Sequence, residues 1–178
     1  MLTREDIAHI PKFNLKIVEE GIRQAEQMLS DCFSKKESIE KKAFTLLSVF
    51  LSFSIALLSI PKITQTQELA IYLVTIPTGL CFLLSSLYLF RSLRPANYGT
   101  MGRYPDTWLQ PGVLEGDDDM RGYVLANVLF DYQDSIRVSS ESNDRKAKLV
   151  TIGLGVGMTS PILFIIMAFI NFTLSPHL

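Results

Sequence analysis

Three long stretches of the sequence contain no aspartate, glutamate, lysine or arginine. They cover residues 43–60, 69–90 and 149–178, so all 17 basic and all 18 acidic residues lie outside them. Each stretch is long enough, at about 1.5 Å per helical residue, to cross a hydrocarbon core of roughly 30 Å. A buried helix of a soluble bundle usually interrupts such a run after about 10–14 residues with a charged position that faces solvent. The sequence therefore predicts three membrane-spanning helices.

Basic residues lie on the same side of all three predicted spans. Lys41 and Lys42 precede the first span, Arg91 follows the second, and Arg145 and Lys148 precede the third. Because cytoplasmic loops carry an excess of lysine and arginine, we expect a cytoplasmic N-terminus and an external C-terminus. The predicted segments are a cytosolic N-terminal helix at 1–42, spans at 43–60, 69–90 and 149–173, a cytosolic loop and helix at 91–148, and an external tail at 174–178.

The overall charge balance excludes one common function class. The net charge is −1, whereas proteins that bind duplex nucleic acid present a strongly basic face. Direct binding of duplex nucleic acid is therefore not expected. The fold class that these features predict is an all-α integral membrane protein, with three transmembrane helices and a cytosolic helical layer.

A repeating apolar pattern precedes the first span. From Leu15 onward, apolar or small residues recur in alternating steps of three and four, which is the heptad spacing of a helix that packs along one face. We expect one helix from about Asn14 to Ile60. The pattern gives the period of the contact and not its partner, so another cytosolic helix of the same chain and a second copy of the chain both fit. The positions expected in this contact include Leu15, Val18, Ile22 and Leu29.

Prolines and polar residues mark the connections. Pro61 is expected to close a hairpin loop after the first span, and Pro95 to end the second helix, because proline lacks a backbone N–H and restricts the residue before it. The next 25 residues or so form a longer connection than usual, which favours a functional role. We expect a helix to resume near Arg121 and to lead into the third span. The acidic run at 117–119 is interpreted as a solvated turn, because it lacks the spaced ligands of a calcium loop.

Small and hydroxyl residues form patterns inside the spans. Gly153 and Gly157, four residues apart in the third span, predict close packing between helices. The first span carries a stripe of hydroxyl residues on one helical face. Because a serine in a span commonly donates to its own i−4 carbonyl, the stripe fits either a polar packing seam or the lining of a narrow pore in an oligomer. The stripe consists of Thr45, Ser48, Ser52 and Ser59.

The sequence contains no recognisable catalytic constellation. His9 and His177 lie near opposite ends of the chain and on opposite sides of the predicted membrane, so they cannot share a triad or a metal site. No charged residue lies within the spans, which argues against a proton-coupled transporter or a voltage sensor. We expect a protein that is not an enzyme and that has no metal or cofactor.

Short motifs at the span boundaries resemble those of a known class of proteins. Lys41-Lys42-Ala43 enters the first span, Leu93-Arg94-Pro95 leaves the second, and Lys146-Ala147 precedes the third. This layout, over most of residues 15–173, resembles the small membrane effectors of bacterial anti-phage nucleotide signalling, including Pycsar-type and SLATT-type proteins. Many such proteins have two or four spans rather than three.

The resemblance implies a function. It implies a homo-oligomer, such as a tetramer, in the inner membrane of a bacterium, working with a partner nucleotidyltransferase or cyclase system. When a nucleotide signal changes during infection, the oligomer would form a pore or disrupt the membrane, and depolarisation would stop growth or kill the cell. The alternative is a non-conducting membrane sensor or scaffold that recruits a soluble partner through its cytosolic helices.

A nucleotide that binds the protein directly would need cationic and aromatic partners. Guanidinium groups pair with phosphates and aromatic rings stack or contact cations. Arginines beside a membrane span equally serve as anchors to lipid headgroups. The candidate ligand-binding residues are Arg91, Arg94, Arg103, Tyr104 and Trp108.

Overall fold

A computed structural model describes residues 14–64, 69–99, 116 and 118–174 of the chain. The described part is all-helical, as the sequence predicts, and contains no strand. It has three helices, each long and apolar enough to cross a membrane. The predictions for His9, Arg103, Tyr104, Trp108, Asp117 and His177 lie outside the described residues.

Helix α1 runs from Leu15 to Thr64. The Asn14 carbonyl accepts hydrogen bonds from the backbone N–H groups of Ile17 and Val18, at 3.0 and 3.1 Å, which starts the helix one residue after the predicted position. Its other end differs from the expectation, because Pro61 lies inside the helix and does not close a loop. A proline removes only its own N–H from the helical ladder, and apolar membrane-type helices tolerate this loss.

Helix α2 runs from Leu69 to Ser92 and contains Pro77. It ends before Pro95, as expected of a residue that disfavours helix on its N-terminal side. The Leu93 N–H donates to the Phe90 carbonyl at 3.1 Å, so the last turn tightens before the chain leaves the helix.

Helix α3 runs from Asp118 to Leu174. It begins three residues before the predicted start at Arg121 and continues without a break through the predicted third span. Asp118 and Asp119 form part of its first turn, so the interpretation of this acidic run as a solvated turn is wrong for these two residues. Carboxylates are favourable at this end of a helix because the N-terminus carries the positive end of the helix dipole.

The chain divides into two compact units. The stalk unit comprises the described residues of 14–36 and 96–143. The span unit comprises the described residues of 37–95 and 144–174. Each helix segment is described below within its own unit.

The core of the stalk unit joins the predicted apolar stripe to α3. Leu29 is fully buried and packs in a cluster with Ala25, Val128 and Tyr132. Ile22 packs against the same cluster, and Leu15 and Val18 are half-buried. Of the two partners that the heptad spacing left open, the one seen here is another helix of the same chain. Polar contacts flank the cluster: the Tyr132 hydroxyl donates to Glu26 at 3.0 Å.

The core of the span unit consists of aromatic and leucine side chains from its helices. Phe50, Phe82 and Leu89 are buried together. The Phe50 and Phe82 rings lie 5.5 Å apart between centroids and are tilted, and Phe53 stacks on Phe82 at 5.6 Å. Such offset arrangements suit aromatic quadrupoles. Val150 packs against this cluster, so all three helices of the unit contribute to it.

Candidate functional site

The predicted hydroxyl stripe lies on the outer surface of the span unit. Thr45, Ser48 and Ser52 are exposed and Ser59 is half-buried. Each hydroxyl donates to the carbonyl four residues earlier in α1, at 2.7–3.0 Å. The donors are therefore satisfied within one helix, while the oxygen lone pairs remain accessible to water or to an ion.

A shallow groove follows the middle of this stripe. It has a volume of about 470 Å³. Its lining residues are Ser48, Val49, Ser52, Phe53 and Ala56. Ser48 and Ser52 on this face are exposed in a single chain, so the groove can receive either lipid or a second subunit.

Two serines that the sequence interpretation did not select connect the helices. Ser54 is fully buried and donates to the Gly79 carbonyl at 2.9 Å. Ser85 is also fully buried and donates to the Gly153 carbonyl. A signal for both was present, because each lies three or four residues from a core phenylalanine, Phe50 or Phe82, and thus on the same helical face.

The predicted glycine pair lies against neighbouring side chains. A Cβ on Gly153 would come within 3.0 Å of the Leu89 Cγ and 3.2 Å of the Ser85 carbonyl oxygen. A Cβ on Gly157 would overlap the ring of Phe50. These two positions need glycine because of close approach. Gly155, on another face of the same helix, has open space around its Cα.

This contrast gives a direct prediction. Gly153→Ala and Gly157→Ala should each lower the stability of the purified protein in detergent by about 1–3 kcal/mol, the usual cost of overpacking. Gly155→Ala is the matched control, because it adds the same methyl group and the same gain in helix propensity without a contact. Thermal unfolding followed by circular dichroism measures the difference. Equal unfolding temperatures for all three variants would contradict the packing role.

A second groove lies between the three helices of the span unit. It has a volume of about 460 Å³ and is bounded almost entirely by apolar atoms. The absent side chain of Gly157 leaves room beside Phe53 and Met158. The remaining lining residues are Phe50, Leu57, Thr78, Phe82, Pro161, Phe164 and Ile165.

A buried ion pair links α1 and α3 at one end of the span unit. The Lys146 ammonium lies 2.5 Å from the Glu40 carboxylate, with the lysine side chain 6% exposed and the glutamate 33% exposed. Lys146 is thus neutralised by a partner from the same unit and does not contribute a free positive charge to the predicted boundary.

The structure describes two of the five residues that are predicted to bind a nucleotide. Arg91 and Arg94 are exposed at the end of α2, and neither forms an ion pair with a residue that the structure describes. The other three members of the set, Arg103, Tyr104 and Trp108, lie outside the described residues. The proposed ligand site therefore stays a prediction.

A polar network in the stalk unit was not predicted. Asn143 is buried and donates to the Cys32 carbonyl at 2.8 Å, and its side-chain oxygen accepts from the Tyr98 hydroxyl at 3.0 Å. The Tyr98 ring lies 6.1 Å from that of Phe33, and the Lys36 ammonium lies 4.5 Å from its centre. This combination of a hydrogen bond, a ring contact and a cation–π contact fixes residues 96–99 between α1 and α3.

Exposed ion pairs account for the two carboxylates whose pKa is lowered. The Arg23 guanidinium and the Gln24 amide hydrogen-bond to Glu20 and lower its pKa to about 2. A hydrogen bond from Lys41 likewise lowers the pKa of Glu37. Because all these side chains lie at the surface and within one helical turn of each other, they are local helix pairs and not parts of a reactive site.

The described residues contain no group of three or more His, Cys, Asp or Glu side chains that could hold a metal ion. Both cysteines, Cys32 and Cys81, are free thiols. The chain matches no protein-family model, no curated protein and no solved structure.

Proposed function

We propose that this chain is a multi-pass effector of the bacterial inner membrane, which oligomerises and forms a pore or disrupts the membrane during anti-phage defence. The observation that supports this proposal is the outward position of the hydroxyl stripe on α1. Only 17% of the apolar window of α1, and the same share of that of α3, is buried within one chain, compared with 44% for α2. Helices α1 and α3 thus keep a large surface available for other subunits.

The stripe suits the wall of a narrow pore. With the α1 helices gathered around an axis, hydroxyl oxygens would line the centre every three or four residues. Each hydroxyl already donates to its own helix, so its free lone pairs can accept from water or contact a cation. Because residues 43–60 contain no charge, such a pore would conduct small ions with weak charge selectivity.

The trigger we propose is a nucleotide signal. Arg91 and Arg94, together with Arg103, Tyr104 and Trp108, are the proposed direct contacts, and a nucleotidyltransferase or cyclase of the same defence system is the proposed source. The basis is the resemblance of the boundary motifs to anti-phage membrane effectors, together with the exposure of Arg91 and Arg94.

The test replaces two hydroxyls of the stripe. Ser48→Leu/Ser52→Leu should reduce depolarisation of infected cells at least several-fold, because it makes the pore wall apolar without removing an interhelical contact. Thr151→Leu is the matched control, since Thr151 is an exposed hydroxyl that also donates to a carbonyl four residues earlier, at 3.0 Å, but lies on α3. A voltage-sensitive dye and entry of an impermeant dye measure the effect. Undiminished depolarisation in the double variant would contradict the proposal that the hydroxyl stripe lines a pore.

A second function has its own supporting observation. On α1 of the stalk unit, Ile17 and Met28 are 69% and 56% exposed. They are eleven positions apart in the sequence, which is close to three helical turns, so they lie on the same face of the helix. This face suits a non-conducting scaffold that recruits a soluble partner. In that case Ile17→Ser/Met28→Ser should abolish protection, while Ser48→Leu/Ser52→Leu should leave both protection and membrane potential intact.

A further inference from the structure

Five exposed basic residues lie at one end of the span unit. One belongs to the start of the predicted first span, two to the end of the second and two to the start of the third. All five are exposed, and none forms an ion pair with another residue that the structure describes. We call this set the basic rim. It consists of Lys42, Arg91, Arg94, Arg145 and Lys148.

The acidic residues at this end do not neutralise the rim. Glu37 is paired with Lys41 at 2.8 Å, and Glu40 with Lys146 at 2.5 Å. Asp144 is the remaining described carboxylate of the span unit at this end. The rim therefore carries a clear excess of positive charge.

Contacts inside the span unit bring the rim residues to a common level. Gly153 of α3 lies against Leu89 of α2, and Lys146 of α3 is paired with Glu40 of α1. At about 1.5 Å per residue, Arg91 lies about 3 Å from Leu89 along the helix axis, and Lys148 lies about 7.5 Å from Gly153. Lys42 lies about 3 Å from Glu40 on the same scale. Lys42, Arg91 and Lys148 thus lie within about two helical turns of one plane.

We infer that the basic rim binds the headgroup phosphates of anionic phospholipids in the cytosolic leaflet. The inference rests on the membrane insertion that is part of the proposed function, and not on the pore. Charge complementarity carries it, since phosphate oxygens accept hydrogen bonds from lysine and arginine at short distance. The rim lies where charge-free helices begin and end, which is the level of lipid headgroups.

The rim as a whole suits a layer of lipid headgroups, and the nucleotide proposed above would displace lipid from Arg91 and Arg94 when it binds. The rim residues come from the ends of all three helices, whereas a small soluble anion is held where several donors converge in a cleft. Neither groove of the span unit includes a rim residue. A layer of many headgroups matches a set of separate exposed cations.

The experiment reconstitutes the full chain in vesicles of equal parts phosphatidylglycerol and phosphatidylcholine and measures, by native mass spectrometry after mild extraction, which lipid is retained. Wild-type protein should retain phosphatidylglycerol preferentially. Arg91→Gln/Arg94→Gln/Lys148→Gln should reduce this preference roughly tenfold or more, as expected for three cations near an anionic surface. The matched control removes three exposed charges of the stalk unit, Lys16→Gln/Lys35→Gln/Arg137→Gln, and should keep the preference. Limited proteolysis of sealed vesicles confirms equal orientation of all proteins.

Several results would overturn the inference. A preference that survives in the rim variant, or one that disappears equally in the control, contradicts a specific role for the rim. Displacement of phosphatidylglycerol by inorganic phosphate at constant ionic strength would reassign the rim to a soluble ligand. At about 1 M salt, where the screening length is about 3 Å, the preference should weaken.

The outcome is separable from that of the pore. Ser48→Leu/Ser52→Leu should retain phosphatidylglycerol as wild type does, whatever it does to depolarisation. Failure of the wild-type chain to insert into vesicles would overturn the membrane premise itself, and the lipid inference with it.

Discussion

Replacing Glu40 with leucine should destabilise the protein by about 3 kcal/mol or more, because it removes an ion-pair partner from the buried Lys146 ammonium. Lys146 is 6% exposed and its Nζ lies 2.5 Å from the carboxylate, so water cannot easily replace Glu40. Unfolding of the purified protein in detergent, followed by circular dichroism against increasing denaturant, measures the loss.

Two comparisons make this prediction specific. Glu37→Leu removes a carboxylate one turn earlier that is also paired with a lysine, but both side chains are more than two-thirds exposed, so the change should be within about 1 kcal/mol of zero. The double variant Glu40→Leu/Lys146→Met should recover most of the stability lost in Glu40→Leu, since no buried charge remains. Equal effects of Glu37→Leu and Glu40→Leu would contradict the account.

Gly99→Ala should be the most damaging single methyl addition in the stalk unit. A Cβ at this position would overlap the Cβ and Cα of Ser135 and lie 2.7 Å from its carbonyl oxygen. Because the obstacle is helix backbone, the chain at residues 96–99 must move away. This movement breaks the hydrogen bond from the Gly99 N–H to the Ser139 hydroxyl at 3.1 Å and the bond from Tyr98 to Asn143. We expect a loss of about 2–4 kcal/mol, in the range of severe backbone and network disruptions.

Gly21→Ala is the control for this variant, because the change in stability that we expect from it has the opposite sign. In Gly21→Ala the new Cβ meets only the end of the Leu129 side chain, at 3.2 Å, and alanine is a better helix former by about 1 kcal/mol. Its stability should be unchanged or higher. Hydrogen exchange of the stalk unit, measured by mass spectrometry, should rise around residues 96–99 and 135–143 in Gly99→Ala only. A Gly99→Ala protein with wild-type exchange would show that this segment is not fixed by the close approach.

Much of the helical architecture is predictable because it depends on local composition. The charge-free stretches identify the positions of three helices long and apolar enough to cross a membrane, and the described structure has them. The start of α1 and the end of α2 also agree with the expectation to within a few residues. The far end of α1 differs from the expectation at Pro61, because one missing N–H does not end an apolar helix.

The contacts between helices are less accessible from the sequence. The heptad spacing around Leu29 shows that a partner exists, but a period carries no information on which helix supplies Val128 and Tyr132. The Asn143–Cys32 bond joins residues 111 positions apart, and Ser54, which lies off the hydroxyl stripe, bonds to a carbonyl 25 positions away. These pairs depend on tertiary packing and have no local pattern.

The ion pair between Glu40 and Lys146 also has a consequence for biosynthesis. Its two members are 106 residues apart, and a ribosome that adds about 5–20 residues per second needs roughly 5–20 s to pass from one codon to the other. Throughout that interval the first helix holds a carboxylate whose counter-ion has not yet been made. The first two helices can pack on each other before then, but the span unit is complete only when the last helix emerges, and a slower ribosome prolongs the period in which quality-control proteases meet an incomplete bundle.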